Sequence, residues 1–231
     1  MARTQKIDNS ILKRFAREEK KREVEIREQK VYFMLICEGE KTEPHYFNAL
    51  KNELPKHTLE INIIGTGANT LSLVDRAIKE KYKAQRHYDR IWLVFDKDSF
   101  PEDNFDNAIH KATGHNINCA WSNEAFELWY ILHFQFVNTP MGREDYKKYL
   151  EGEFHKKELT SFSYLKNANN MYQLLQEYGN ESFAINNAKK LKEQFQNNQF
   201  ANHNPCTCVH ELVFELRNPL DVLKKINGNH S

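Results

Sequence analysis

The stretch VYFMLIC, residues 31–37, is a continuous apolar run that is followed at once by the acidic stretch EGE, residues 38–40. Such a run is typical of a strand that is buried on both faces of a parallel sheet. A second run of this kind, RIWLVFD at residues 90–96, ends in an acid and is followed by Lys97 and Asp98. Both strands are therefore predicted to deliver carboxylates at their ends.

The segments around these two runs alternate between strand and helix patterns. LEINIIG from Leu59 and INCAW from Ile117 predict two further strands. Apolar residues with helical spacing occur at 45–53, 70–83 and 105–113. The order β-α-β-α-β-α-β predicts an α/β fold with a parallel sheet that is flanked by helices on both faces.

The second half of the chain shows mostly helical patterns, and its polar stretch at 137–164 offers no strand signal. We predict helices, the last of them with Thr207 as its cap, over residues 125–134, 169–178, 182–196 and 208–226. The sequence thus divides into three predicted regions, which are a basic arm or helix at 1–29, an α/β domain at 30–135 and a mostly helical extension at 136–231 that packs on it.

The composition indicates an ordinary soluble protein. Of the 231 residues, 40% are hydrophobic and 28% are charged. No apolar run approaches the roughly 20 residues needed to cross a bilayer, and the N-terminus lacks the apolar core of a signal peptide. We therefore expect a cytoplasmic protein without a membrane contact, in which the four cysteines do not form a disulfide framework.

The N-terminal segment carries an excess of positive charge that the near-neutral total conceals. Residues 2–30 hold ten Lys or Arg against six Asp or Glu, which gives about +4. A solvated, partly frayed helix is one interpretation of this segment. A basic arm that follows the phosphates of a nucleic acid is the other.

The strand ends predict a metal site. In an open parallel sheet, ligands bind at the carboxyl ends of the strands, where Glu38, Asp96 and Asp98 are expected to converge. Crowded carboxylates repel one another unless they bind a cation, and Mg²⁺ or Mn²⁺ prefers such oxygen ligands. An Asp-x-Asp pair also suits a turn, because Asp accepts local backbone hydrogen bonds. The second acidic strand end is what favours the metal.

The chain also resembles a known family. An apolar strand with Glu-Gly, followed about 55 residues later by an apolar strand with Asp-x-Asp, resembles the Toprim fold of topoisomerases, bacterial primases and OLD-family nucleases. More narrowly, five stretches look like the RloB-like family of bacterial defence proteins: ICEGEKTEPHYF, GTGANTLSLV, VFDKDSF, SNEAFELWYILHF and NPCTCVHELV. The resemblance places the Toprim domain at about 30–135. It implies metal-dependent nuclease chemistry with Glu38, Asp96 and Asp98 as the metal-binding acids, and an ABC/SMC-like ATPase partner from the same operon.

Further acids are candidates for completing this site. OLD-type nucleases place a second acid just after Glu-Gly, and whether Glu40 or Glu43 takes that role here stays open. Glu43 also suits the N-terminus of a helix, where a carboxylate meets free N–H groups. Glu127 recurs in the family motif and is preferred over Glu124, although either acid also suits the first turn of a helix.

Polar residues near the same strand ends are candidates for contacting the substrate. Lys41 and Lys97 would neutralise the acids or stabilise charge on the phosphate, unless they are simply solvated. Asn123 ends the fourth strand, and Asn69 precedes a helix that it is also suited to cap. GTGANT is not a Walker motif, because no Gly-Lys-Ser/Thr follows.

Structural roles are predicted for one cluster of histidines and cysteines and for a single histidine elsewhere. The spacing of His203, Cys206, Cys208 and His210 is too short for the usual zinc pattern, so no zinc site is predicted. His133 lies on an apolar helix, where a buried structural histidine is favoured over a catalytic one.

The leading hypothesis is an Mg²⁺- or Mn²⁺-dependent nuclease that hydrolyses the phosphodiester bonds of RNA, tRNA or DNA. In the family context it would be a toxic effector of anti-phage defence. The alternatives are a non-catalytic adaptor that binds nucleic acid or an ATPase, and a nucleotidyl transferase of the primase kind. A homo-oligomer also stays open.

Overall fold

The structure, a computed structural model, describes residues 13, 30–67, 70–97 and 102–228. The chain divides into two compact units, Met1–Lys30 and Val31–Ser231. The predicted basic arm at 1–29 lies outside the described residues except for residue 13, and the boundary predicted near residue 135 stays a prediction.

The second unit is built on a five-stranded sheet. Its strands are β1 (Val31–Cys37), β2 (Leu59–Gly65), β3 (Arg90–Asp96), β4 (Asn118–Asn123) and β5 (Cys206–Thr207). Their order in the sheet is β2-β1-β3-β4-β5; β1 to β4 are parallel to one another, and β5 is antiparallel to β4. The prediction of an α/β fold with a parallel sheet is therefore confirmed.

Helices cover both faces of this sheet. They are α1 (Thr42–Glu53), α2 (Thr70–Lys83), α3 (Glu102–Gly114), α4 (Glu127–Ile131), α5 (Arg143–Lys156), α6 (Met171–Tyr178), α7 (Glu181–Lys192), α8 (Val209–Arg217) and α9 (Pro219–Gly228), with a 3₁₀ turn at Phe200–Asn202. The predicted helical character of the C-terminal part is confirmed. None of the helices in the described residues is both long and apolar enough to pass through a membrane.

The continuous apolar run of β1 is explained by two separate hydrophobic cores. Phe33 and Leu35 face one core, which contains Trp129 and the C-terminal helices. Met34 and Ile36 face the other, which contains α2 and α3. Because successive side chains of a strand point to opposite faces, a strand between two cores needs apolar residues at every position.

The last predicted helix differs from the structure in two ways. One helix was expected over 208–226, but Pro219 divides it into α8 and α9, because proline disfavours a helical conformation at the preceding residue. The cap predicted at Thr207 is also displaced. Thr207 lies in β5, antiparallel to β4, and Cys208 is the N-cap of α8. The Thr207 hydroxyl still accepts a hydrogen bond from the Val209 N–H at 3.3 Å.

Candidate active site

The carboxyl ends of β1 and β3 bring two of the predicted acids together. Cys37 pairs with Val94 in the parallel register, so Glu38 follows β1 at the level where β3 ends in Asp96. Glu38 Oε2 accepts a hydrogen bond from the Asp96 N–H at 3.2 Å, and the Glu38 N–H donates to the Val94 carbonyl at 2.8 Å. Their proposed role as metal ligands stays a prediction.

A cleft of about 400 Å³ opens at this edge of the sheet, and we call it the acidic cleft. Its lining includes three buried carboxylates, with exposed lysines among the other residues. The lining residues are Gly39, Glu40, Lys41, Thr42, Glu43, Gly67, Asp96, Phe126, Glu127, Lys166 and Asn167. Asp96, Glu43 and Glu127 are 8%, 6% and 6% exposed, so these three acids are largely removed from solvent.

Both acids that follow Glu-Gly reach the acidic cleft, but they differ in burial. Glu43 lies in the first turn of α1, and burial is the main cause that raises the pKa of its carboxyl, with the charge of Glu127 adding to the rise. The N–H groups of Gly39 and of Glu43 itself oppose the shift in this pKa. Glu40 is exposed at the rim, next to Gly67. Glu43 thus combines the helix-terminus position with a position in the cleft.

Glu127 faces the acidic cleft at the start of α4, and its carboxylate accepts a hydrogen bond from a buried tyrosine. The Tyr164 hydroxyl donates a hydrogen bond to Glu127 Oε1 at 2.6 Å. Burial, followed by the charge of Glu127, raises the pKa of Tyr164 far above its usual range, so the phenol keeps its proton. Glu124 is not part of the cleft lining, and its N–H donates to the Tyr146 hydroxyl at 3.3 Å.

Residues 163–167, which we call the clasp segment, come from the C-terminal part and border the acidic cleft. The Lys166 carbonyl accepts a hydrogen bond from Thr42 Oγ1 at 2.7 Å, and the Lys166 charge lowers the pKa of Glu43. Sequence reasoning missed Tyr164 and Lys166, because they lie in an irregular polar stretch without a motif. The one signal there is an aromatic residue and a lysine amid polar residues, which is too weak to indicate a site.

The remaining predicted residues have different positions. Lys41 is exposed in the cleft lining, and Lys97 is half-buried with its N–H donating to the Ser122 carbonyl at 2.8 Å. Asn123 is 2% exposed and is not in the cleft lining; its Nδ2 donates to the Ala201 carbonyl at 2.8 Å, a structural contact. Asp98 and Asn69 lie outside the described residues.

The donors of the acidic cleft suit a hard divalent cation, because carboxylate oxygens are the ligands that Mg²⁺ and Mn²⁺ prefer. The pKa of Glu43 is raised mainly by burial, and the nearby charge of Glu127 adds to the rise. Within the described residues, however, no three His, Cys, Asp or Glu side chains are grouped closely enough to hold a metal ion. Asp98, the third predicted ligand, is not among those residues, so the described residues do not contain the whole predicted ligand set. The donors that they do contain are carboxylates, which suit a hard divalent cation.

The histidines and cysteines near β5 are buried in structural contacts. His203 stacks on Phe195, with ring centroids 4.4 Å apart, and His210 Nδ1 lies 3.1 Å from the Thr207 carbonyl oxygen. Burial lowers the pKa of His210 to about 4, so its ring is neutral at pH 7. All four cysteines of the chain are free thiols.

Comparison with known proteins matches the chain to a family. A family model described as RloB-like protein matches residues 33–216, which is most of the chain. Neither a curated protein nor a solved structure matches.

Proposed function

The chain belongs to the RloB-like family, and from this premise we propose that it is an Mg²⁺- or Mn²⁺-dependent nuclease of the Toprim type. Its substrate would be RNA, tRNA or DNA, and its role that of a toxic effector in anti-phage defence. The observation that carries the proposal is the junction of Glu38 and Asp96 at the carboxyl edge of the sheet, beside the acidic cleft. Ligand sites of open α/β sheets occupy that edge.

The proposed ligands of the ion are Glu38, Asp96 and Asp98, with Glu127 as a fourth candidate. When bound, the ion supplies positive charge for the phosphodiester and lowers the pKa of an attacking water. Glu127, held by Tyr164, is suited to orient that water or to accept its proton.

Positive charge at the rim of the cleft is the second part of the proposed mechanism. Lys41 and Lys166 are exposed in the lining, on α1's N-terminal side and on the clasp segment. Their ammonium groups would bind the phosphate oxygens and stabilise the charge that develops during cleavage. The buried carboxylates and exposed lysines therefore divide the cleft into an ion-binding floor and a phosphate-binding rim.

Asp96→Asn tests this proposal, because it keeps the volume of the side chain and removes one anionic ligand. Loss of that ligand should cost at least about 3 kcal/mol in the transition state, which is roughly a hundredfold in rate. Purified protein would be incubated with plasmid, single-stranded DNA and total tRNA, with and without Mg²⁺ or Mn²⁺. The melting temperature should stay equal or rise, since repulsion between the acids is relieved.

A matched control is Asp75→Asn, which removes an exposed aspartate that pairs with Lys111 at 2.6 Å away from the cleft. It should cut like the wild type. If Asp96→Asn instead melts several degrees lower and cuts normally, Asp96 is a structural residue and the metal-site proposal is wrong.

A non-catalytic adaptor is the second candidate, and one observation favours it. The described residues contain no group of three metal-binding side chains. An adaptor would bind nucleic acid in the same panel of substrates without cutting any of them, and Mg²⁺ would leave its affinity unchanged.

The proposed partner is an ABC/SMC-like ATPase from the same operon, as the family resemblance implies. Co-expression of the two proteins should give a stable complex in size-exclusion chromatography. Separate elution at micromolar concentration, both with and without ATP, would contradict a stable association.

A further inference from the structure

We infer that Tyr164 is a positioning residue for Glu127, so that the C-terminal part of the chain completes the acidic cleft instead of only covering it. This inference rests on the proposed function, because it assigns Glu127 a role toward the ion or the attacking water. Tyr164 lies 37 residues beyond Glu127 in the sequence, and no motif connects the two.

The contact between the two side chains is short and shielded from water. The hydroxyl of Tyr164 is 2.6 Å from Glu127 Oε1, and each residue is 6% exposed. A phenol has one proton to donate, so Tyr164 engages a single oxygen of the carboxylate. By holding Oε1, that bond also sets the direction in which Glu127 Oε2 points. A second layer of hydrogen bonds orients metal ligands in the same way.

The backbone on both sides of the Tyr164 side chain is held independently of Glu127. On one side, Glu151 Oε1 accepts hydrogen bonds from Ser163 Oγ at 3.0 Å and from the Tyr164 N–H at 2.9 Å. On the other side, Thr42 binds the Lys166 carbonyl at 2.7 Å. Because α5 and α1 fix the backbone around Tyr164, the phenol can impose an orientation on Glu127 rather than follow it.

A purely structural role for Tyr164 predicts different behaviour. If its ring only filled space, phenylalanine would serve equally well at the cleft, and removal of the hydroxyl would change stability alone. If the hydroxyl orients Glu127, its removal leaves a buried carboxylate that is free to rotate, and the affinity for the ion falls. Measuring both the ion affinity and the stability of a variant without the hydroxyl therefore distinguishes the two roles.

Tyr164→Phe is the variant that tests the inference, and Tyr172→Phe is its matched control. Tyr172 is 1% exposed, and its hydroxyl donates to Glu53 Oε2 at 2.5 Å, but it is not in the cleft lining. Both variants lose one hydroxyl that is bonded to a carboxylate. Binding of Mn²⁺, measured by electron paramagnetic resonance without substrate, should weaken about tenfold in Tyr164→Phe and stay unchanged in Tyr172→Phe.

The same substitution in a Glu127→Gln background shows whether Tyr164 acts through Glu127. We expect no further loss of Mn²⁺ affinity there, because the residue that Tyr164 orients is no longer an anionic ligand. Unchanged Mn²⁺ affinity in folded Tyr164→Phe, or an equal loss in both backgrounds, would overturn the inference and leave the proposed function standing. If the wild-type protein neither binds Mn²⁺ nor cuts any substrate, the proposed function itself fails and the inference falls with it.

Discussion

Gly39 lies against the Glu43 carboxylate, and its replacement by alanine is expected to displace that carboxylate. A Cβ at position 39 would stand 2.2 Å from Glu43 Oε2 and 2.9 Å from Glu43 Cδ. Ordinary van der Waals contact begins near 3.4 Å, so the carboxylate must move by about 1 Å. Glu43 is 6% exposed and lines the acidic cleft, so its carboxylate would shift within the cleft, and its bond from the Gly39 N–H would weaken.

The expected cost follows from these contacts. Overpacking at a buried site costs about 1–3 kcal/mol, and a weakened hydrogen bond to a charged group adds to it. Alanine also reduces the entropy of the unfolded chain, which offsets about 0.4–1 kcal/mol. We expect Gly39→Ala to lower the free energy of unfolding by about 2 kcal/mol, measured by urea denaturation, and to weaken Mn²⁺ binding.

A double-mutant cycle attributes this cost to Glu43. In a Glu43→Ala background the new methyl group meets no carboxylate, so Gly39→Ala should be neutral or slightly stabilising. Gly152→Ala, in α5, is the control, because a Cβ at that position would have no neighbouring atom within 4 Å. Alanine should stabilise that helix by about 1 kcal/mol. An equal cost of Gly39→Ala with and without the Glu43 carboxylate would refute the reasoning.

Three further predictions concern pH, an ion-pair network and the arm. Burial lowers the pKa of His133 to about 4 from 6.5, so the stability that its neutral ring contributes above pH 6.5 is lost as the pH falls towards 4. The difference in unfolding free energy between the wild type and His133→Gln, measured by urea denaturation at each pH, should therefore shrink by about 3 kcal/mol over this range. Arg217 binds Glu181 at 2.8 and 2.9 Å, so Arg217→Met should lower the unfolding free energy by about 2 kcal/mol. Lys224→Met, which removes one side of an exposed ion pair, should lower it by less than about 0.5 kcal/mol. Equal costs would contradict the expectation that partial burial strengthens the Arg217 contact. Deletion of residues 2–25 should weaken nucleic-acid binding and reduce its salt dependence, whereas an unchanged salt slope would favour the solvated-helix interpretation.

The α/β core could be predicted because its signals are local. Each of the first four strands is a short apolar or alternating run, and the helix patterns between them follow the period of 3.6 residues. β5 could not be predicted in this way. It consists of Cys206 and Thr207 only, and its pairing with β4 is set by tertiary contacts rather than by a pattern in two residues.

Only the part of the candidate site that lies at the strand ends could be predicted from the sequence. Glu38 and Asp96 stand next to clear strands, so the topology of a parallel sheet brings them together. Tyr164 and Lys166 belong to a segment that has no periodicity, and their positions depend on the contacts of Glu151 and Thr42 with the clasp segment. A residue that reaches a site through a loop leaves no spacing in the sequence to identify it.

The contact between Thr42 and Lys166 spans 124 residues, and this has a consequence for a chain that is still on the ribosome. By the time Glu127 has been synthesised, the acids of the cleft are all present, but Tyr164 is 37 residues away. At about 5–20 residues per second, that interval is roughly 2–7 s. Throughout it the nascent chain lacks the clasp segment, so the cleft gains its final form only after translation has passed well beyond the sheet.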